Sequence, residues 1–265
     1  MTAPSVVSGA ALPPRARALL GNAAPLTAVL AVAYGLKRFY SSAGADELGW
    51  LLEPTAQIVS FVSGHAFVEE RGSGYLSREL GLLIAPSCAG GNYLIVAFVM
   101  AGACFLPRFR KASSKWCWLG VSAVIAYLAT LCVNALRILL TLAMKSQDAF
   151  RFGMSFGKIH RIEGVLVYLG SLWLLYLCLE QAFVHTASGF VPRARQIAVP
   201  WLLYLGVTLV VPLFNGAGNS ASYASHARTV LLVSSATAAC VALLSYMLRR
   251  RRPPSNFGDV RASAP

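Results

Sequence analysis

The chain has 265 residues, 57% of them hydrophobic and 12% charged, with a formal net charge of +13 and a mean hydropathy of +0.61. That composition excludes an ordinary soluble enzyme and a disordered chain. Apolar runs close to the ~20 residues of a spanning helix recur along it, which defines an all-α polytopic membrane protein surrounded by lipid. About six such helices with short loops use up the length, so one membrane domain is expected over 18–248 between disordered ends at 1–17 and 249–265.

The first apolar run, Ala18 to Leu36, follows Arg15 and Arg17 and continues to Lys37 without a clear small-residue cleavage site. It reads as a signal anchor that stays in place. The next, Leu48 to Phe67, carries Glu53, Pro54, Gln57 and His65. It is too polar and broken for a span and is expected to be re-entrant or interfacial. Phe67 to Ser77 has Gly72 and Gly74 at its turn and predicts a short hairpin-like loop. Leu80 to Ala85 then returns the chain to the membrane. This loop is open to two readings, one wall of a groove for an extended peptide or a solvated connector. The remaining predicted spans are Cys88 to Leu106, Trp116 to Ala143, Gly164 to Val184, Val199 to Phe214 and Thr229 to Leu248. No internal repeat points to a transporter's inverted halves.

Charge placement orients these spans, because cytoplasmic loops near helix ends are rich in Lys and Arg. With six spans, one side collects Arg15, Arg17, Arg108, Arg110, Lys111, Lys115, Arg193, Arg195, Arg249 to Arg252 and Arg261. The other side holds nine basic residues against eight acids, Asp46, Glu47, Glu53, Glu69, Glu70, Glu79, Asp148 and Glu163, and is nearly neutral. The basic side is the cytoplasm, which puts both termini there. Orientation, rather than nucleic-acid binding, accounts for the basic balance. Counting Leu48 to Phe67 as a further span would turn the Arg249 to Arg252 block outward.

Three residues with reactive side chains, Cys88, Arg137 and His160, fall on the extracytoplasmic side. Of the six cysteines, Cys104, Cys132, Cys178 and Cys240 lie within spans and Cys117 near a cytoplasmic end, where a small polarizable side chain is ordinary packing. Cys88 sits in Ala85-Pro86-Ser87-Cys88-Ala89-Gly90-Gly91-Asn92 at the start of a helix, whose unpaired N–H groups favour a thiolate. A reactive and a structural role both fit. Arg137 lies inside apolar sequence, which costs a few kcal/mol on insertion scales unless it faces a wet cavity, a partner or the outer interface. Asn134, three residues earlier on the same helical face, is placed to orient it. His160 precedes the next span, where a solvated histidine is commonplace. Beside a thiol, however, an imidazole can act as base and then acid, and a guanidinium can hold a carbonyl oxygen as charge develops on it. His65 competes for the base role. No His/Cys/Asp/Glu set has metal-ligand spacing, so neither metal nor cofactor is expected. The rival reading is a non-enzymatic transporter or assembly factor for surface polysaccharide, with Arg137 and Asn134 lining a polar pathway.

The cysteine motif PSCAGGN at a helix start, NALRI inside a later span, and an extracytoplasmic histidine before the next span, in that order, resemble the exosortases and archaeosortases. The resemblance covers about Leu51 to Leu179 and includes LLEPTA. It implies a multi-pass inner-membrane cysteine peptidase and transpeptidase whose site faces the periplasm. Its partners would be exported proteins bearing a C-terminal sorting signal, made of a short motif such as Pro-Glu-Pro, a transmembrane helix and a basic cluster. Cleavage near the motif would pass through an acyl-enzyme to an acceptor that the sequence does not identify. By the same resemblance Cys88 is the nucleophile, His160 the base and acid, and Arg137 the electrostatic stabiliser, with Asn134 and Asn92 in substrate-binding or supporting positions. The family's Cys-Ser-Gly is Cys88-Ala89-Gly90 here, a departure that keeps the nucleophile but leaves the subfamily, and so the recognised motif, open; the K-type exosortases are the subfamily expected.

Overall fold

The computed structural model describes residues 14–146, 156–183, 192–214 and 221–250. The expected disordered ends lie outside these residues, except Pro14 to Arg17 and Arg249 to Arg250, which fall in helices. In chain order the helices are α1 (Pro14–Ser42), α2 (Gly49–Ser63), α3 (Gly91–Phe105), α4 (Ala112–Ser146), α5 (Phe156–Phe183), α6 (Ala194–Leu205), α7 (Val211–Phe214) and α8 (Ala221–Arg250). Strands β1 (Val68–Glu70), β2 (Gly74–Ser77) and β3 (Leu82–Ile84) lie between α2 and α3.

Among the described residues, five segments are long and apolar enough to cross a membrane: Pro86–Arg108, Ala112–Met144, Gly157–Phe183, Ala194–Leu213 and Tyr223–Leu248. They follow the last five predicted spans. The first predicted span is helical within α1, though α1 is not among the five. The protein is therefore an all-α polytopic membrane protein with a small sheet attached.

α3 is the centre of the bundle. In its most apolar window 83% of the residues are buried, against 17% for α8, so α3 is enclosed and α8 is peripheral. α3 packs against α1, α4, α5 and α6. Small residues permit the approach, since a Cβ on Gly102 would stand 3.1 Å from Val29. Close packing of this kind replaces the hydrophobic effect that lipid cannot supply. An enclosed α3 carries whatever precedes it into the protein interior.

α2 is a regular helix of 15 residues, about 22 Å long at 1.5 Å per residue and hence too short to span. Its buried stripe of Leu51, Leu52, Thr55, Ala56 and Val59 packs on α4, and Gly64 ends it with φ +74°. Pro54 does not break it. A proline frees the carbonyl four residues earlier, here that of Trp50, and the Tyr127 hydroxyl from α4 donates to this oxygen at 2.9 Å. The same repair occurs in α1, where Pro25 frees Gly21 and Lys115 Nζ donates to the Gly21 carbonyl at 2.8 Å. Three residues before Pro200 and Pro212, the carbonyls of Ile197 and Leu209 accept from Trp173 Nε1 and Tyr223 Oη at 3.0 and 2.8 Å.

The expected hairpin-like loop is a three-stranded antiparallel sheet in the order β1-β2-β3. Val68 pairs with Leu76 and Glu70 with Gly74, while Tyr75 pairs with Ile84 and Ser77 with Leu82. The apolar run read as the return to the membrane supplies the third strand. Gly74 is required there: its φ is +126°, and a Cβ would fall 2.2 Å from the Ile84 carbonyl oxygen.

Candidate active site

Cys88 closes a 3-10 turn, Pro86–Cys88, held by Cys88 N–H to Ala85 O at 2.8 Å and Ala89 N–H to Pro86 O at 3.1 Å. Gly90, in the left-handed region at φ +76°, then turns the chain into α3. A Cβ at Gly90 would lie 3.1 Å from Thr130 Cγ2 and 3.3 Å from Asn134 Cγ, so the turn sits directly against α4. Thus Pro-Ser-Cys-Ala-Gly-Gly places a half-buried thiol between the heads of α3 and α5 and the C-terminal half of α4.

Arg137 and Asn134 project from α4 into this space. Asn134 is buried; its Nδ2 donates to the Cys88 carbonyl and its Oδ1 accepts from the Tyr168 hydroxyl at 3.0 Å. Tyr168 in turn accepts from Arg137 Nη1 at 3.0 Å. A continuous chain of donors thereby links the guanidinium to the backbone of the cysteine turn. Gly164 makes room for it: a Cβ there would stand 3.0 Å from Arg137 Nε.

His160, from the first turns of α5, completes the cluster. Its imidazole is within hydrogen-bonding reach of the Cys88 thiol, and its Nε2 lies 2.7 Å from Arg137 Nη2. An arginine only donates, so Nε2 accepts, and a neutral imidazole must then carry its proton on Nδ1. Nδ1 faces Thr141 Oγ1 at 3.0 Å and Glu163 Oε2 at 3.3 Å. Thr141 Oγ1 also lies 2.9 Å from Glu163 Oε2 and 3.0 Å from the Arg137 carbonyl.

The remaining predicted residues lie elsewhere. The Asn92 Oδ1 accepts from Lys37 Nζ at 2.8 Å on an exposed face. His65 pairs through Nδ1 with Glu79 at 2.8 Å, in a pocket of about 460 Å³ lined by Ser63, Leu80, Leu139, Leu142 and Ala143. At 100° per residue, Leu139 and Ala143 occupy the side of α4 opposite Asn134, Arg137 and Thr141, with Leu142 on the flank between them. Sequence reasoning did not single out Thr141, Glu163, Gly164 or Tyr168. The i,i+3 spacing of His160 and Glu163 was the available signal.

The membrane bundle thus gathers a thiol, an imidazole and a guanidinium at one end of its central helix. The family model described as transmembrane exosortase (Exosortase_EpsH) matches residues 49–177, a stretch holding every residue of this cluster. Over this stretch the chain is similar to the transmembrane exosortases. No curated protein and no solved structure matches it.

Proposed function

We propose that this protein is a membrane-embedded cysteine transpeptidase that cleaves the C-terminal sorting signals of exported proteins and passes them to an acceptor. The observation that carries this reading is the meeting of Cys88, His160 and Arg137, drawn from three separate stretches, inside the family-matched segment. In this reading the site faces the periplasm, both termini are cytoplasmic, and the membrane domain is the single functional unit.

As Arg137 Nη2 releases the lone pair of His160 Nε2, Cys88 Sγ attacks the carbonyl carbon of the scissile peptide, its proton passes to that nitrogen and the S–C bond forms. Each Arg137 Nη carries a second N–H beyond those given to Tyr168 and His160, which can serve the oxyanion. The C–N bond then breaks, and His160 protonates the leaving amine, releasing the signal's apolar helix and basic tail. An acceptor amine, hydroxyl or water attacks the thioester carbonyl and gives its proton to His160. The S–C bond breaks, and the proton returns to the thiolate.

The test is processing of a reporter that ends in a short motif, an apolar helix and an arginine cluster, the ending being taken from a protein encoded in the same genome. Cys88→Ala abolishes processing, and Arg137→Ala lowers it by ~10²–10³, the usual loss for an oxyanion donor. Both variants still accumulate in the membrane. Processing that survives Cys88→Ala sinks the reading.

A further inference from the structure

Two buried atoms at this site have no hydrogen-bond partner among the described residues: Arg137 Nε, which faces Gly164, and Glu163 Oε1. Glu163 is only 8% exposed, and a buried carboxylate normally requires compensation by charge and hydrogen bonds. The compensation visible here comes from the reactive cluster. Oε2 reaches the Thr141 hydroxyl and the His160 ring, and the Arg137 charge stands on the far side of that ring.

We propose that Glu163, assisted by Thr141, is the positioning residue that keeps the His160 Nδ1–H directed away from Cys88 and leaves Nε2 to take the thiol proton. The inference rests on the reading of Cys88 as nucleophile and His160 as base. Its physical ground is the position of Arg137. A guanidinium 2.7 Å from Nε2 opposes addition of a proton to that nitrogen, and a carboxylate at the opposite ring nitrogen offsets this. Thr141 has one hydroxyl proton. With that proton given to a carboxylate or carbonyl oxygen, its lone pair accepts from Nδ1–H, so the hydroxyl reinforces the same tautomer. The charged and titratable groups around the ring are Arg137 on α4 and Cys88 ahead of α3, with Tyr168 and Glu163 on its own helix. Tyr204 of α6 is within electrostatic range of Arg137 and Tyr168, and Arg161, beside His160 in sequence, is within such range of His226 of α8. Among them, Glu163 is the carboxylate whose oxygen approaches the ring.

The test is the rate at which iodoacetamide alkylates Cys88 in membranes containing the full-length chain, followed by mass spectrometry across neutral and alkaline pH. Glu163→Gln is expected to raise the half-maximal pH by about one unit, or about tenfold slower alkylation near neutrality. Glu163→Asp restores most of the rate. Adding Glu163→Gln to His160→Ala changes nothing further, because Glu163 acts through the ring. Thr141→Val retains the shape, removes the hydroxyl and shifts the profile in the same direction, which keeps the test open should Glu163→Gln not accumulate. A Glu163→Gln profile that overlays the wild type, or a loss of equal size in the His160→Ala background, overturns the inference. If His160→Ala itself leaves the profile unmoved, the nucleophile and base reading falls with it. A profile moved by His160→Ala and untouched by Glu163→Gln removes Glu163 alone.

Discussion

Arg137 gives Nη1 to Tyr168 and Nη2 to His160, a two-pronged arrangement that a lysine's single ammonium does not reproduce. Arg137→Lys is therefore expected to process the reporter little better than Arg137→Ala although it keeps the charge; full activity in Arg137→Lys contradicts this use of the fork. Tyr168 is tested separately. Tyr168→Phe leaves Asn134 Oδ1 and an Arg137 donor unpaired in the interior, for which about 1–3 kcal/mol is the usual cost. Thermal denaturation in detergent should report that loss, and processing should slow because the cysteine turn loses its tie to the guanidinium. Cys88 and Arg137 were legible in the sequence because each sits where its residue type is costly or conspicuous, an arginine in an apolar run and a cysteine among glycines at a helix start; Asn134 stood out by its spacing to Arg137, and His160 only in company with the other two. Tyr168, Thr141 and Glu163 were not. A tyrosine or threonine in a membrane helix is ordinary, and Glu163 was counted among the outer acids, whereas its side chain is buried. Only the packing of α5 on α4 brings these residues together.

At the scale of elements, the helices tolerate proline because neighbouring helices supply the missing hydrogen bonds. Lys115→Met leaves the Gly21 carbonyl without its partner, at an expected cost of ~0.6–1.7 kcal/mol for an interhelical bond of this kind. Replacing Pro25 by Ala returns an N–H to that carbonyl, so the double variant should recover the loss. Equal destabilisation with and without Pro25→Ala, measured by a double-mutant cycle in detergent, excludes the repair. α2 illustrates how far sequence carries at this scale. Pro54 and Glu53 made it look broken, and the expectation that it does not span agrees with its 15 residues. Its continuity depends on Tyr127, 77 positions away along the chain, and no local pattern reports such a bond. The third strand was hidden for a related reason: an apolar run of that length fits a buried strand as well as a helix approach. Gly164 tests the contact between elements that matters most for the site. Gly164→Ala places a Cβ 3.0 Å from Arg137 Nε, and processing should fall more than tenfold, a cost of about 1.4 kcal/mol at the barrier, while the protein still accumulates. Wild-type processing in Gly164→Ala shows that Arg137 has room to spare.

For the molecule as a whole, the enclosure of α3 is the organising fact. Its head carries the cysteine turn. Its foot lies among Phe105, Phe109, Trp118 and Phe183, with the Arg108 guanidinium 4.9 Å from the Phe105 ring centroid and 3.7 Å from Glu180. The two ends of the bundle are thus chemically distinct, a reactive polar end and an aromatic, cationic end, in keeping with the charge asymmetry of the loops. If the reactive end faces the periplasm, a membrane-impermeant maleimide added to spheroplasts labels Ser73→Cys, in the turn between β1 and β2, and spares Cys117 on α4; the opposite pattern inverts the topology. The central claim, that Cys88 carries the sorted protein as a thioester, is tested most directly by mass spectrometry of the enzyme recovered during processing of the reporter. The expected result is a hydroxylamine-sensitive adduct of the truncated reporter on Cys88, absent from Cys88→Ala. Normal processing by Cys88→Ala, or an adduct on any other residue, contradicts it.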